Sequence, residues 1–281
     1  MKIVNAIIQV KKLRRSSMEE SISGILESLL PGGRGVWVPM DHSVFSFPEP
    51  GLEDTDFAVD AAISGGADAI VLHKGALSYH FKRTGWRGFV CHVSASTVHA
   101  GTRSQDKVTV GIAAECKLRG ASAVSGQVNI GADSEPEMIE RFGALTSDAI
   151  FQEIPVLGMF YPRGPNLASI PSDSTGGVAH AARLAWELGC DVVKVPWTGD
   201  AESFNSVVSA VPIPVLISGG PVEGAFTDLL EIAEKAIFAG ASGVCIGRQV
   251  FASTNPEAHV RALHAIVHDN RSASDAARFL E

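Results

Sequence analysis

Four short segments repeat one pattern along this 281-residue chain, and no other feature constrains its fold as much. They are Gly66-Ala67-Asp68-Ala69-Ile70, Gly120-Ala121-Ser122-Ala123-Val124, Gly189-Cys190-Asp191-Val192-Val193 and Gly240-Ala241-Ser242-Gly243-Val244. Each opens on a glycine suited to cap the C-terminus of a helix and runs on into a short apolar stretch suited to a buried strand. The glycines lie 54, 69 and 51 residues apart. One βα unit takes about 30 residues, so each interval holds two. The intervening strands are expected after Arg87-Gly88, Ile154-Pro155 and Ile213-Pro214. Proline suits the first residue of a strand.

This spacing predicts eight strands, near Val36–His42, Ala69–Gly75, Phe89–Ser96, Ala123–Gly131, Val156–Gly164, Val192–Gly199, Val215–Pro221 and Val244–Phe251. Helices are expected at Leu52–Ser64, Ser134–Phe151, Thr175–Leu188, Ala201–Ala210, Thr227–Ala239 and Pro256–Val267, with another within Lys107–Leu118. Met18–Leu30 reads as an extra helix covering the bottom of a barrel. Eight βα units point to a TIM barrel, although a doubly wound open sheet has the same alternation. The length suits one barrel or two smaller domains, and no Pro-, Gly- or Ser-rich linker splits the chain. The expected organisation is an extension and capping helix over 1–35, then one (β/α)8 catalytic domain over 36–281.

The composition excludes several classes. Net charge is -8, and charged residues make up 19% of the chain, which argues against nucleic acid or an anionic membrane as partner. The one basic cluster, Lys11-Lys12-Leu13-Arg14-Arg15, reads as an exposed face. Cys91, Cys116, Cys190 and Cys245 form no Cys-x-x-Cys pair and read as small core residues in a reducing compartment. The apolar stretch Ile3–Val10 precedes its positive charges, unlike a secretory signal. A cytoplasmic location is expected.

Aligning the glycine-led strands places side chains on two faces. Lys194 lies five residues after its glycine. The same column, continued two residues on, holds Val71 and His73, Ser125 and Gln127, Cys245 and Gly247, with Asn129 further along. The proline-led strands add Leu157, Met159 and Tyr161, and Leu216, Ser218 and Gly220. In a closed barrel this parity faces inward, with polar residues at the C-terminal mouth. On the first strand one of Asp41 and His42 should face inward and the other away.

Lys194 is the anomaly in this pattern, a charge inside the apolar run Asp191-Val192-Val193-Lys194-Val195-Pro196-Trp197. A buried amine either finds a counter-charge or loses its proton. Two readings follow: a structural ion pair, or a nucleophile able to form a Schiff base with a ketone. Lys74 competes for that role but has the opposite parity, which makes it a rim or outward residue. Ser218-Gly219-Gly220-Pro221 and Ile246-Gly247-Arg248 end the seventh and eighth strands. Loops there often bind phosphate in TIM barrels, and Arg248 can add a charge-assisted bond. Tight turns are the alternative. Asp41 and Tyr161 are suited to move protons at the mouth. His42, His73 and His92 leave open a zinc site with Asp41, though no His-x-His or His-Glu-x-x-His spacing occurs.

The segments Val38-Pro39-Met40-Asp41-His42, Val71-Leu72-His73-Lys74-Gly75, Met159-Phe160-Tyr161-Pro162-Arg163-Gly164, Val193-Lys194, Thr198-Gly199-Asp200, Ser218-Gly219-Gly220-Pro221 and Ile246-Gly247-Arg248 together resemble one family. It is the archaeal-type class I fructose-bisphosphate aldolase family, in its branch of 2-amino-3,7-dideoxy-D-threo-hept-6-ulosonate synthases. The resemblance runs from about Val36 to His268. It implies a TIM barrel with no cofactor and no metal, Lys194 as the Schiff-base lysine, and Asp41 and Tyr161 as the catalytic pair. It also implies Gly219, Gly220, Gly247 and Arg248 around the phosphate. His42 and His73 are expected among the substrate-binding residues. Members often assemble as decamers, so a homo-oligomer is expected. Related bacterial enzymes condense aspartate semialdehyde with dihydroxyacetone phosphate on the way to 3-amino-4-hydroxybenzoate.

The chain departs from the family at Ser43, where glycine is usual, in the aromatic segment Val44–Pro50, at Val195-Pro196-Trp197, and in a longer N-terminal segment with Pro31-Gly32-Gly33. The expected activity is a class I aldolase or transaldolase acting on a phosphorylated keto-sugar and a small aldehyde, with aspartate semialdehyde preferred. A product like 2-amino-4,5-dihydroxy-6-oxo-7-(phosphonooxy)heptanoate would result. Fructose-bisphosphate cleavage and non-catalytic sugar-phosphate binding are the alternatives.

Overall fold

The computed structural model describes residues 20–167, 175–220 and 224–281. The basic cluster, the Ile3–Val10 stretch and Pro221 lie outside them. Eight parallel strands close into a barrel: β1 (Gly35–Pro39), β2 (Ala69–His73), β3 (Phe89–His92), β4 (Ala123–Ile130), β5 (Val156–Pro162), β6 (Val192–Val195), β7 (Val215–Ser218) and β8 (Gly243–Cys245). Each pairs with its neighbours in sequence, and β8 pairs with β1. Helices run between the strands. They are α2 (Thr55–Ser64), α3 (Lys74–Thr84), α4 (Ala113–Leu118), α5 (Glu135–Gln152), α6 (Thr175–Glu187), α7 (Ala201–Val208) and α8 (Phe226–Phe238), following an N-terminal helix α1 over residues 20–29. After β8 come α9 (Arg248–Phe251), α10 (Pro256–Val267) and α11 (Ala273–Ala276). Among the described residues no helix is long and apolar enough to cross a membrane.

The repeated glycines work as their spacing predicts. Gly66, Gly120, Gly189 and Gly240 have φ of 91°, 101°, 92° and 100°. In each case the next residue's N–H reaches the carbonyl five residues back: Ala67 to Ala62, Ala121 to Cys116, Cys190 to Ala185 and Ala241 to Ala236, at 2.9–3.1 Å. This bond satisfies a helix-end carbonyl and turns the chain into the next strand.

Two apolar layers result. The outer one lies between strands and helices and includes Val36, Ile70, Val124, Val193 and Val244. The inner one fills the barrel with Trp37, Ala69, Val71, Val90, Ala123, Leu157, Met159, Val192, Leu216 and Cys245. Leu29 and Leu30, at the end of α1, join this inner layer, and the Trp37 indole N–H donates to the Leu29 carbonyl at 2.8 Å. The extra helix therefore closes the barrel bottom, as expected.

The strands are shorter than their apolar runs suggest, because pairing stops where the chain turns to build the mouth. β2 ends at His73, and Lys74 opens α3 rather than extending the strand. Arg248–Phe251 is a helical turn and not part of β8. After β3 the chain makes an excursion in which Ser94–Ala95 pairs antiparallel with Val108–Thr109. The helix expected within Lys107–Leu118 begins only at Ala113.

Candidate active site

The inward column builds the site. Lys194 is flanked in the sheet by Met159 on β5 and Leu216 on β7. Asn129 stands beside Tyr161, and Gln127 beside Met159. Apolar side chains of this column pack the barrel, and its polar members emerge above them at the C-terminal ends of the strands. There they line a cavity of about 390 Å³. Asp41, His42, His73, Tyr161, Lys194, Gly219, Gly220, Gly247 and Arg248 all border it. Every residue singled out from the sequence for the site is thus gathered at one mouth. Lys74 is not among them, and instead pairs with Glu115 at 3.2 Å on the barrel's outside.

Lys194 is 6% exposed and lies beside Tyr161 and Cys245. Burial pushes its amine down, but Cys245, Tyr161 and Asp41 outweigh that effect, and its pKa rises above the ordinary value. Burial raises the Cys245 thiol, which stays neutral, so the full negative charge facing the amine is the Asp41 carboxylate. The resting site therefore holds an ammonium with a counter-charge.

Asp41 and His42 correct the sequence reading. β1 stops at Pro39, and Asp41 has φ -88° and ψ 2° at the start of a short 3-10 turn. Strand alternation no longer applies there, so both side chains reach the mouth. Asp41 lies 3.7 Å from His42 Nδ1 through Oδ1 and 3.7 Å from His92 Nε2 through Oδ2. Burial would raise its pKa, but His92, His42, His73 and Lys194 together hold it well below the usual carboxylate range. His92 is pushed down to about 3 by burial and is neutral at physiological pH. Its Nδ1 pairs with Ser125 Oγ at 2.7 Å, and its ring meets His73 edge-on at 5.3 Å. Burial also lowers His42 and His73. Among the described residues no three His, Cys, Asp or Glu side chains are arranged to hold a metal ion.

The two glycine loops face each other across the β7–β8 side. Arg248 donates to the Gly220 carbonyl at 2.7 Å, and Gln249 donates to the Gly219 carbonyl at 2.6 Å. Gly220 has φ 66°, a left-handed conformation that glycine adopts freely. A side chain on Gly247 would collide with the Pro39 carbonyl, so only glycine lets the end of β8 approach β1. These loops present backbone and a guanidinium to the cavity, a chemistry suited to an anion.

Sequence reasoning missed Lys107, Glu49, Ser96 and Gln105, which also line the mouth. They sit on loops, where no periodicity marks an inward position. The divergent segment Val44–Pro50, which contains Glu49, was the one available signal. Arg163, quoted only as part of a motif, stacks its guanidinium over the Tyr161 ring at 3.9 Å.

A closed (β/α)8 barrel with a buried lysine, a tyrosine and a carboxylate at its mouth defines the architecture of a lysine-centred aldolase. The chain belongs to the DeoC/LacD aldolase family, whose profile matches residues 36–253. It is 38% identical over 250 residues to a 2-amino-3,7-dideoxy-D-threo-hept-6-ulosonate synthase of Archaeoglobus fulgidus, covering 87% of this chain and 90% of that one. It is 36% identical over 245 residues to the 2-amino-4,5-dihydroxy-6-oxo-7-(phosphonooxy)heptanoate synthase of Streptomyces griseus, covering 86% and 87%. Among solved structures it is similar to a Schiff-base-forming fructose-1,6-bisphosphate aldolase studied through its reaction intermediates. That match has TM-score 0.79 and 26% identity, and covers 88% of this chain and all of the other. An archaeal fructose-1,6-bisphosphate aldolase whose catalytic lysine is bound to a carbinolamine matches with TM-score 0.78 and 25% identity, covering 88% and 99%.

Proposed function

We propose that the protein condenses dihydroxyacetone phosphate with aspartate semialdehyde through an imine on Lys194. The observation that carries this reading is the buried Lys194 amine beside Tyr161, within the cavity bordered by the glycine loops. The phosphate binds at Gly219, Gly220, Gly247 and Arg248. This places the ketone near Lys194, whose ammonium yields a proton to water in the open cavity. The free amine attacks the carbonyl carbon, and one of its N–H protons moves to the new alkoxide to give the carbinolamine. Tyr161 protonates the departing hydroxyl, so the carbinolamine loses water and becomes an iminium. The Tyr161 phenolate left by that step takes a proton from the hydroxymethyl carbon, which gives an enamine and restores the phenol. Its carbon attacks the aldehyde, and the new alkoxide takes a proton from Tyr161. Water then releases the product and restores the amine. Asp41, anionic throughout, offsets the positive charge that the iminium carries.

The carbon count supports this pairing. Three carbons of the ketone phosphate and four of aspartate semialdehyde give a seven-carbon chain with a 2-amine, 4,5-hydroxyls, a 6-ketone and a 7-phosphate. That is the product named for the Streptomyces griseus relative. Cleavage of fructose 1,6-bisphosphate is the second reading, favoured by the structural likeness to those aldolases. The reading includes a homo-oligomer acting in the cytoplasm. Leu118 and Phe151, 91% and 80% exposed on the outer helices, would gain from burial against further copies. Incubating the protein with dihydroxyacetone phosphate and a panel of aldehydes tests the assignment. The seven-carbon amino acid should form faster than fructose 1,6-bisphosphate, and the reverse order would select the second reading.

A further inference from the structure

Besides Arg163, whose guanidinium stacks on the Tyr161 ring, the mouth holds two charges that the imine chemistry does not use. Lys107 enters from the excursion after β3, and Glu49 from the loop after β1. Both are half-buried. Lys107 Nζ donates to Ser96 Oγ at 2.7 Å and lies 5.3 Å from the centre of the Phe45 ring. Its hydrogen-bond partner among the described residues is a hydroxyl and not a carboxylate. Glu49 likewise accepts from the Ser46 hydroxyl, at 3.4 Å, and has no cation paired with it there. Among the described residues neither charge has an ion-pair partner in direct contact, and Asp41 acts on Lys107 only from further off. Part-buried charges so weakly compensated carry a desolvation cost that a ligand of complementary charge reduces.

The two segments form one braced wall. Val98 N–H donates to the Phe45 carbonyl at 2.9 Å. Asn129 holds the excursion through the Gln105 carbonyl at 2.7 Å, and Arg141 holds it through the Lys107 carbonyl at 2.7 Å. In the closed ring β3 stands opposite β7. A substrate anchored at the β7–β8 loops and bonded to Lys194 thus extends towards Lys107.

We propose that Glu49 and Lys107 select the acceptor, binding the ammonium and the carboxylate of an α-amino acid aldehyde. The proposal rests on the aldolase reading and names the acceptor class of that same site. An aldehyde bearing a phosphate fits worse, because Lys107 would attract it and Glu49 would repel it. An uncharged aldehyde would leave both charges unpaired.

Steady-state kinetics with dihydroxyacetone phosphate and four acceptors test this: aspartate semialdehyde, 4-oxobutanoate (which lacks the amine), glyceraldehyde 3-phosphate and butanal. Borohydride trapping of dihydroxyacetone phosphate on Lys194 runs in parallel as a readout of imine formation. Glu49→Gln should cut the kcat/KM preference for aspartate semialdehyde over 4-oxobutanoate about tenfold, and should improve glyceraldehyde 3-phosphate relative to aspartate semialdehyde. Lys107→Met should cut the preference for 4-oxobutanoate over butanal about tenfold, while Lys107→Arg retains most of it. Trapping should persist in all three variants. Persistent trapping with every ratio within about twofold of the parent overturns the acceptor site and leaves the aldolase reading standing. Failure of the parent protein to trap at all overturns the aldolase reading, and the acceptor site with it.

Discussion

On the proposed mechanism, removing the Tyr161 hydroxyl separates binding from chemistry. The residue borders the cavity beside Lys194, and its ring lies beneath Arg163. Tyr161→Phe removes one oxygen and leaves the packing in place. It should lower kcat by about 10²- to 10⁴-fold, the usual range for a lost general acid–base group, while dihydroxyacetone phosphate still binds. Equilibrium binding beside single-turnover rates would check the split. Asp41 shows how far a parity argument reaches. Its place at the mouth was legible from Pro39-Met40-Asp41-His42, but not the fact that His42 joins it. The strand ends at Pro39, and alternation ends with it. Lys107 and Glu49 were illegible for a related reason, since loop residues have no period to betray which side they face.

At the scale of the element, the glycine-capped turns were legible because a left-handed helix end leaves a compositional mark. Glycine adopts φ near +90° without the steric cost that a Cβ imposes. Gly189 isolates this effect: its φ is 92°, and an added Cβ would meet Thr146 at an ordinary 3.4 Å. Gly189→Ala should therefore cost about 1–2 kcal/mol through backbone strain alone. Urea denaturation would show a lower midpoint with an unchanged m-value. α1 offers a contrast in packing. Leu29 is fully buried in the inner layer, and Leu29→Ala should cost about 3 kcal/mol, measured in the same way. The excursion after β3 had no such mark. Asn129, Gln127 and Arg141 hold it through contacts distant in sequence, which no local pattern reveals.

At the scale of the whole molecule, Asp41, His92 and Lys194 meet in one mouth, and stability should depend on pH accordingly. His92 is held neutral, with its pKa at about 3, whereas an exposed imidazole titrates near 6.5. As pH falls below that value the unfolded chain takes up a proton that the folded one refuses, so stability drops until the folded pKa is reached. Asp41 adds to the loss at lower pH, because its depressed pKa makes the unfolded carboxylate the first to protonate. Lys194 acts at the other end: its raised pKa gives a stability present below the unfolded value of about 10.4 and lost as pH climbs through the folded one. His92→Gln should therefore flatten the acid limb, between roughly pH 6 and 4, by about 1.4 kcal/mol per pH unit. Denaturant titrations at several pH values would measure that slope.

The same concentration of charge underlies the central claim, that Lys194 is a nucleophile and not only the partner of Asp41. Incubation with dihydroxyacetone phosphate and borohydride, followed by proteolysis and peptide mass mapping, tests it most directly. The account predicts one reduced adduct on the peptide carrying Lys194, absent without the ketone phosphate and absent in Lys194→Met. An unmodified Lys194 peptide, or an adduct on Lys74 or Lys107 instead, would contradict it.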